Sequence, residues 1–201
     1  MKFHELQMRY RDAARSAVEE LRASKPDETL YAFALYTDDD CCATSAAANT
    51  EEALQRKLDK EALRLKQAGE SIQKYGGLDY YRWATGEWDY EGVGHNGFPS
   101  YEEMEAMQEG KSSKAFKRGV LDAMVGALKE LDSAGVFGTG QQREGITLFV
   151  TITDCDEAVH IEDQSARRLN PRQIARHFHH RYSWKLRMLA QLGALVSRFR
   201  R

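Results

Sequence analysis

A chain of 201 residues that is 42% hydrophobic and 10% aromatic is large enough to close one core, and its three prolines and 30% charged residues exclude a fibrous or disordered chain. The net charge of −2 hides a polarised distribution: residues 165–201 hold ten Lys and Arg and no carboxylate, which leaves residues 1–164 at −12. No apolar run nears the ~18 residues that span a bilayer, and the start at Met1 enters a charged helical pattern without a signal-peptide core, so a cytoplasmic protein with no membrane partner is expected.

From Phe3 to Leu21, apolar residues recur at three- and four-residue steps, the stripe of an amphipathic helix that Lys25-Pro26-Asp27 ends. Leu30–Thr37 is aromatic-rich and apolar on both alternating faces, as in a central strand covered on two sides. The acidic turn Asp38-Asp39-Asp40 leads to a second strand, Cys42–Ala48, expected to form a hairpin with the first, and its small residues let another layer approach. Asn49 with Glu52 reads as an N-cap and its reciprocal partner, opening a helix that Tyr75-Gly76-Gly77 stops. Residues 78–99 read as a long structured loop. Tyr101–Leu131 reads as two helices broken at Gly110.

Ile146–Thr153 has a strand pattern, and Asp154-Cys155-Asp156-Glu157 is expected to turn it into a second hairpin with Ala158–Ile161. After Asn170-Pro171, basic helices follow. The expected fold is therefore α+β, an antiparallel sheet of about four or more strands flanked by several helices. An α+β core over residues 1–164 carries a basic helical extension over 165–201, packed on that core.

Three cysteines, Cys41, Cys42 and Cys155, read as reduced thiols, and no CxxC pair or neighbouring His completes a metal site at Cys41-Cys42. His177 and His180 share a helix face, but the arginines around them disfavour a cation. Gly92-Val93-Gly94 and Gly138-Thr139-Gly140 lack the Lys-Ser/Thr ending of a phosphate loop. No cofactor, no metal and no catalytic residue is expected.

The segment Tyr80–Glu91 concentrates two of the three tryptophans among charged groups, the mixture of a binding hot spot, and Trp83, Glu87, Trp88, Asp89, Tyr90 and Glu91 are the expected binding residues. The competing reading has both indoles plugging the core. Charge asymmetry is likewise open to two readings, a steering field or mutual neutralisation of tail and body.

At Tyr31–Asp38, Asn49-Thr50-Glu51-Glu52, Arg82-Trp83 with Glu87-Trp88 and Tyr90-Glu91, and Leu169-Asn170-Pro171, the chain resembles the bacterial family catalogued as domain of unknown function 4303. The likeness covers most residues up to about Pro171 and brings no reaction or catalytic residues with it. Small bacterial proteins of this kind are often suspected of serving as immunity partners to secreted toxins, an association and not a shown role. The expected function is a non-enzymatic binding protein, an immunity protein whose acidic body docks a basic toxin. The alternatives are a nucleic-acid-associated protein using the arginine-rich tail with Tyr182, Trp184 and Phe199, or an enzyme of unrecognised type joining Asp154, Asp156 or Glu87 to a histidine.

Overall fold

The computed structural model describes residues 1–71 and 77–182. The expected helix stop at Tyr75-Gly76, and the tail residues from Ser183 through Trp184 and Phe199 to Arg201, lie outside the described residues.

The described chain forms four strands, β1 (Leu30–Thr37), β2 (Thr44–Thr50), β3 (Tyr90–Val93) and β4 (Thr147–Ile152), in the sheet order β3-β2-β1-β4. Its helices are α1 (Phe3–Ser24), α2 (Glu51–Gln67), α3 (Gly77–Trp83), α4 (Tyr101–Gln108), α5 (Ser113–Ser133), α6 (Gly140–Glu144), α7 (Ala158–Leu169) and α8 (Arg172–His179). The class is α+β as expected, but the sheet is mixed: β2 runs antiparallel to β1 and β3, whereas β4 runs parallel to β1 with Phe33 opposite Leu148 and Thr37 opposite Ile152. A parallel partner needs a long crossover, and the helices between β1 and β4 supply it.

The expected second hairpin is absent, because Ala158–Leu169 is α7 and not a strand. The residues it buries, Glu162, Asp163, Ser165, Ala166 and Leu169, follow a helical and not a two-residue period. Asp154, Asp156 and Glu157 precede it, where acids complement the positive end of a helix. Residues 78–99, expected as loop, contain most of α3 and the short edge strand β3. Helix α2 is capped by Thr50, whose hydroxyl accepts from the Ala53 amide at 3.1 Å, while Asn49 belongs to β2 and Glu52 accepts from the Thr29 amide at 2.7 Å.

Two apolar layers cover the sheet. On one face, Phe33, Leu35, Leu148, Val150 and Ile152 meet Tyr10, Ala14 and Val18 of α1 and Phe116, Val120, Met124 and Leu128 of α5. On the other, Tyr31, Ala34, Ala47 and Phe149 meet Leu54, Tyr81, Trp83, Trp88 and Phe178. The small residues of β2 permit close approach on the first face. At Gly94, held at φ +68°, a Cβ would stand 2.8 Å from the Ala17 Cβ and 3.2 Å from the Ala13 carbonyl oxygen.

The free edge of β4 is occupied by side chains. Asn170 accepts from the Leu148 amide at 2.9 Å and donates to the Leu148 carbonyl at 2.6 Å, and the Ser165 hydroxyl accepts from the Val150 amide at 2.9 Å and donates to its carbonyl at 3.1 Å. Two side chains thus stand in for a fifth strand and protect an edge that would otherwise invite pairing. Arg143, 8% exposed, donates to the Ile146 and Leu169 carbonyls and pairs with Asp132, fixing α6 to the end of α7.

Candidate functional site

The expected binding segment divides in two. Trp83 and Trp88 are each 4% exposed, within an aromatic cluster. Trp83 meets Phe178 edge-on at 5.0 Å, Trp88 meets Phe149 at 5.8 Å, and both meet Tyr31. The Trp88 indole donates to the Arg82 carbonyl at 3.0 Å, and the Tyr31 hydroxyl donates to the same oxygen at 2.8 Å. The indoles are therefore core, which is the competing reading of the sequence.

The polar half faces α2. Glu87 pairs with Lys57 at 2.9 Å, Asp89 lies 3.5 Å from Arg56, and the Tyr90 hydroxyl donates to Glu28 at 2.6 Å. Asp89 and Glu91 are exposed. Arg82 forms a bidentate pair with Glu51 while its guanidinium covers the Tyr31 ring at 4.1 Å. The residues that carry the family resemblance at Tyr31, Asn49, Glu51, Arg82 and Trp88 thus meet in one knot, and Asn170 secures the β4 edge.

Beside that knot, a cavity of about 370 Å³ opens between α3, α8 and the amino ends of β1 and β4, with Tyr31, Arg82, Trp83, Thr147, Ile174 and His177 in its wall. The carboxylate on its lining is Glu144, so it does not join a histidine to Glu87, Asp154 or Asp156.

The opposite end of the same strands has a different character. Parallel pairing brings the loops after β1 and β4 side by side, and the Thr153 amide donates to the Thr37 carbonyl at 2.8 Å. Each loop holds a non-glycine residue in the left-handed region, Cys41 at φ 60° and Asp154 at φ 54°, and these are the two such residues among the described ones. Backbone of this kind persists only where its surroundings impose it, and it gathers at functional sites. In the first loop the Asp38 carboxylate accepts from the Cys42 and Ala43 amides at 2.8 and 3.0 Å, which forces the turn.

Charge accumulates here. Asp38, Asp39 and Asp40 of the first loop and Asp154, Asp156 and Glu157 of the second are joined by Glu105 of α4, with Glu109 and Lys111 beside it. Tyr101 stands 48% exposed at the start of α4, and its phenol is raised above the ordinary value by the negative field of Glu105 first, with Asp38 and Asp40 adding to it. The Cys42 thiol is raised by burial and then by Asp38, Asp40 and Glu105, so the same carboxylates bear on two neighbouring probes. Burial, more than any charge, pushes the Cys41 thiol up to about 12. Lys117, reaching in from α5, donates to Asp39 at 2.9 Å and to the Cys155 sulfur at 3.6 Å.

The result is an acidic end with an exposed aromatic ring, built on two imposed loops. Sequence reasoning treated its parts as a turn and a packed helix. The signal available was the acid run Asp38–Asp40 directly after a strand apolar on both faces.

Between residues 165 and 182 the basic region packs on the body, with the expected boundary at 164/165 falling inside α7. Arg181 is fully buried, pairing with Glu162 and Asp163 at 2.6 Å each, and Arg168 pairs with Asp122 at 2.7 Å. Arg172, Arg176, His177 and His180 are exposed. Among the described residues no three His, Cys, Asp or Glu groups assemble as a metal site, and no helix is long and apolar enough to cross a membrane.

A mixed four-stranded sheet with helices on both faces and carboxylates gathered at the carboxyl end of its parallel pair defines an α+β domain. Residues 11–171 match the family described as domain of unknown function (DUF4303), and the chain belongs to that family. No curated protein and no solved structure matches it.

Proposed function

We propose that the chain is a non-enzymatic binding protein of the bacterial cytoplasm, an immunity protein whose acidic end docks a basic toxin. The observation that carries this reading is the exposed Tyr101 in the field of Glu105, Asp38 and Asp40, beside two loops that each hold one residue in left-handed backbone. An exposed aromatic ring beside carboxylates that outnumber the Lys111 and Lys117 ammoniums suits a partner of positive charge, and the field accelerates encounter. All 31 carboxylates lie within the described residues, whereas Lys74, Lys185, Arg187, Arg198, Arg200 and Arg201 do not, which leaves the described body at −8. Three free thiols suit a reducing compartment. Asp89, paired with Arg56, lies toward the opposite end of the sheet, so of the segment expected from sequence only exposed Glu91, opposite Ala47, remains as an unburied carboxylate on the β3 edge.

The test is a photoreactive phenylalanine analogue at Tyr101, irradiated in the native host, with the same analogue at exposed Leu63 as control. The expected result is one cross-linked basic protein from position 101 and not from 63. Adducts that do not differ between the two positions, or only acidic adducts, contradict the reading.

A further inference from the structure

We propose that Lys117 and Cys155 are the two halves of a reversible oxidative cross-link, a nitrogen–sulfur bond that closes when a hydroperoxide reaches Cys155 and pins together the elements of the acidic end. The geometry is already that of a reacting pair. Lys117 Nζ lies 3.6 Å from Cys155 Sγ and 2.9 Å from Asp39 Oδ1, so ammonium, sulfur and a carboxylate stand together. That separation is close to the ~3–3.5 Å of atoms poised to react. The Lys117 side chain is 15% exposed and rises from α5, which packs along α1, so its stem is held in place. Cys155 is half-buried, and that burial raises its thiol and slows its reaction with peroxide, but it is the cysteine nearest to solvent, since Cys41 and Cys42 are 0% and 1% exposed.

The chemistry balances with hydrogen peroxide as the oxidant. Cys155 sulfur attacks the peroxide; an S–O bond forms as the O–O bond breaks, the thiol proton leaves with the departing hydroxide as water, and sulfur loses two electrons to become a sulfenic acid. Lys117 releases one proton to solvent, and the lone pair so freed attacks that sulfur. An N–S bond forms as the S–O bond breaks, and the departing hydroxide takes a second amine proton and leaves as water. One ammonium, one thiol and one peroxide thus yield the linked pair, two waters and one proton. Thiols reverse it by attack on the sulfur.

Closure also removes a cation. Lys117 is the ammonium paired with Asp39, and joining its nitrogen to sulfur leaves the acidic end one charge more negative while tying the loop after β4 to α5. The cross-link therefore couples oxidation to the same surface, although it rests on the contact alone and not on any partner.

The full chain is treated with hydrogen peroxide, digested without reductant and examined by mass spectrometry, alongside isoelectric focusing of the intact protein. The expected product joins the Lys117 and Cys155 peptides, is lighter than their sum by two hydrogen atoms, reverts with dithiothreitol and focuses as having lost one positive charge. Lys117→Arg keeps a cation for Asp39 but has no primary amine, and Lys117→Gln removes both. Either variant is expected to show no such product while Cys155 still traps a sulfenic-acid reagent, and a fold lost in one leaves the other to decide. A bond from Cys155 to Cys41 or Cys42, a Cys155 oxidised further with Lys117 unmodified, or a product that survives in Lys117→Arg overturns the proposal.

Discussion

Glu28 joins α2, β2 and β3, and its protonation is expected to loosen that junction. Its carboxylate accepts from Thr50 at 2.5 Å, from Tyr90 at 2.6 Å and from Arg56 at 2.8 Å. Burial alone pushes Glu28 upward, but these three donors outweigh it and hold the group down at about 2. Against an ordinary glutamate near 4.3, such a depression corresponds to at most about 3 kcal/mol at neutral pH. The Arg56 side chain is 51% exposed, and screening lowers the realised figure to roughly 1–2 kcal/mol. Because the folded value is depressed, the stabilisation is complete above about pH 4.3, declines as the pH falls below it and is gone below about pH 2. Urea denaturation of the wild type and Glu28→Gln at pH 7 and pH 3 checks this, since the comparison cancels the other carboxylates. The difference between the two proteins at pH 7 is expected to shrink by roughly half or more at pH 3. An unchanged difference at the two pH values would refute the assignment of this charge to folding.

Two further perturbations follow from the packing. Gly94→Ala combines a left-handed backbone with a Cβ pressed against Ala17 and the Ala13 carbonyl, and is expected to cost about 2 kcal/mol or more in urea midpoint terms; a neutral substitution there contradicts the close approach of this turn to α1. Asn170→Ala uncovers the Leu148 amide and carbonyl on the β4 edge, and about 1–3 kcal/mol of lost stability is expected, with concentration-dependent association by light scattering; a monomer of unchanged stability argues against the edge-protecting role.

Much of the fold was legible because burial imposes periodicity. The stripe from Phe3 to Leu21 is α1, and Leu30–Thr37 matches β1 residue for residue. The parallel pairing was missed although its mark was read on β1, which is apolar on both faces; β4 is buried throughout too, but Thr147 and Thr151 on one of its faces hid this from the sequence. A hairpin was expected after β4 because Asp154–Glu157 is turn-like in composition, yet the same acids favour a helix start, and only the spacing of Ser165, Ala166 and Leu169 decides.

The site was less legible. Trp83 and Trp88 resemble a hot spot in sequence because aromatic residues among charges serve cores and interfaces alike, and only the sheet shows that Phe149 and Phe178 lie beneath them. Tyr101 and Glu105 are about sixty residues from Asp40 along the chain, and Lys117 is 38 from Cys155, so no local pattern reports their meeting.

The most direct measurement of the docking claim is the association rate of the chain with its cross-linked partner across a salt series. The comparison sets Asp40→Lys with Glu105→Lys against the control Glu19→Lys with Glu20→Lys on the exposed side of α1. Steering by the acidic end predicts a rate that falls steeply with salt in the wild type and drops about tenfold or more in the first double variant, with little change in the control. Equal rates in all three proteins, or a fall of the same size in the control, contradict the claim.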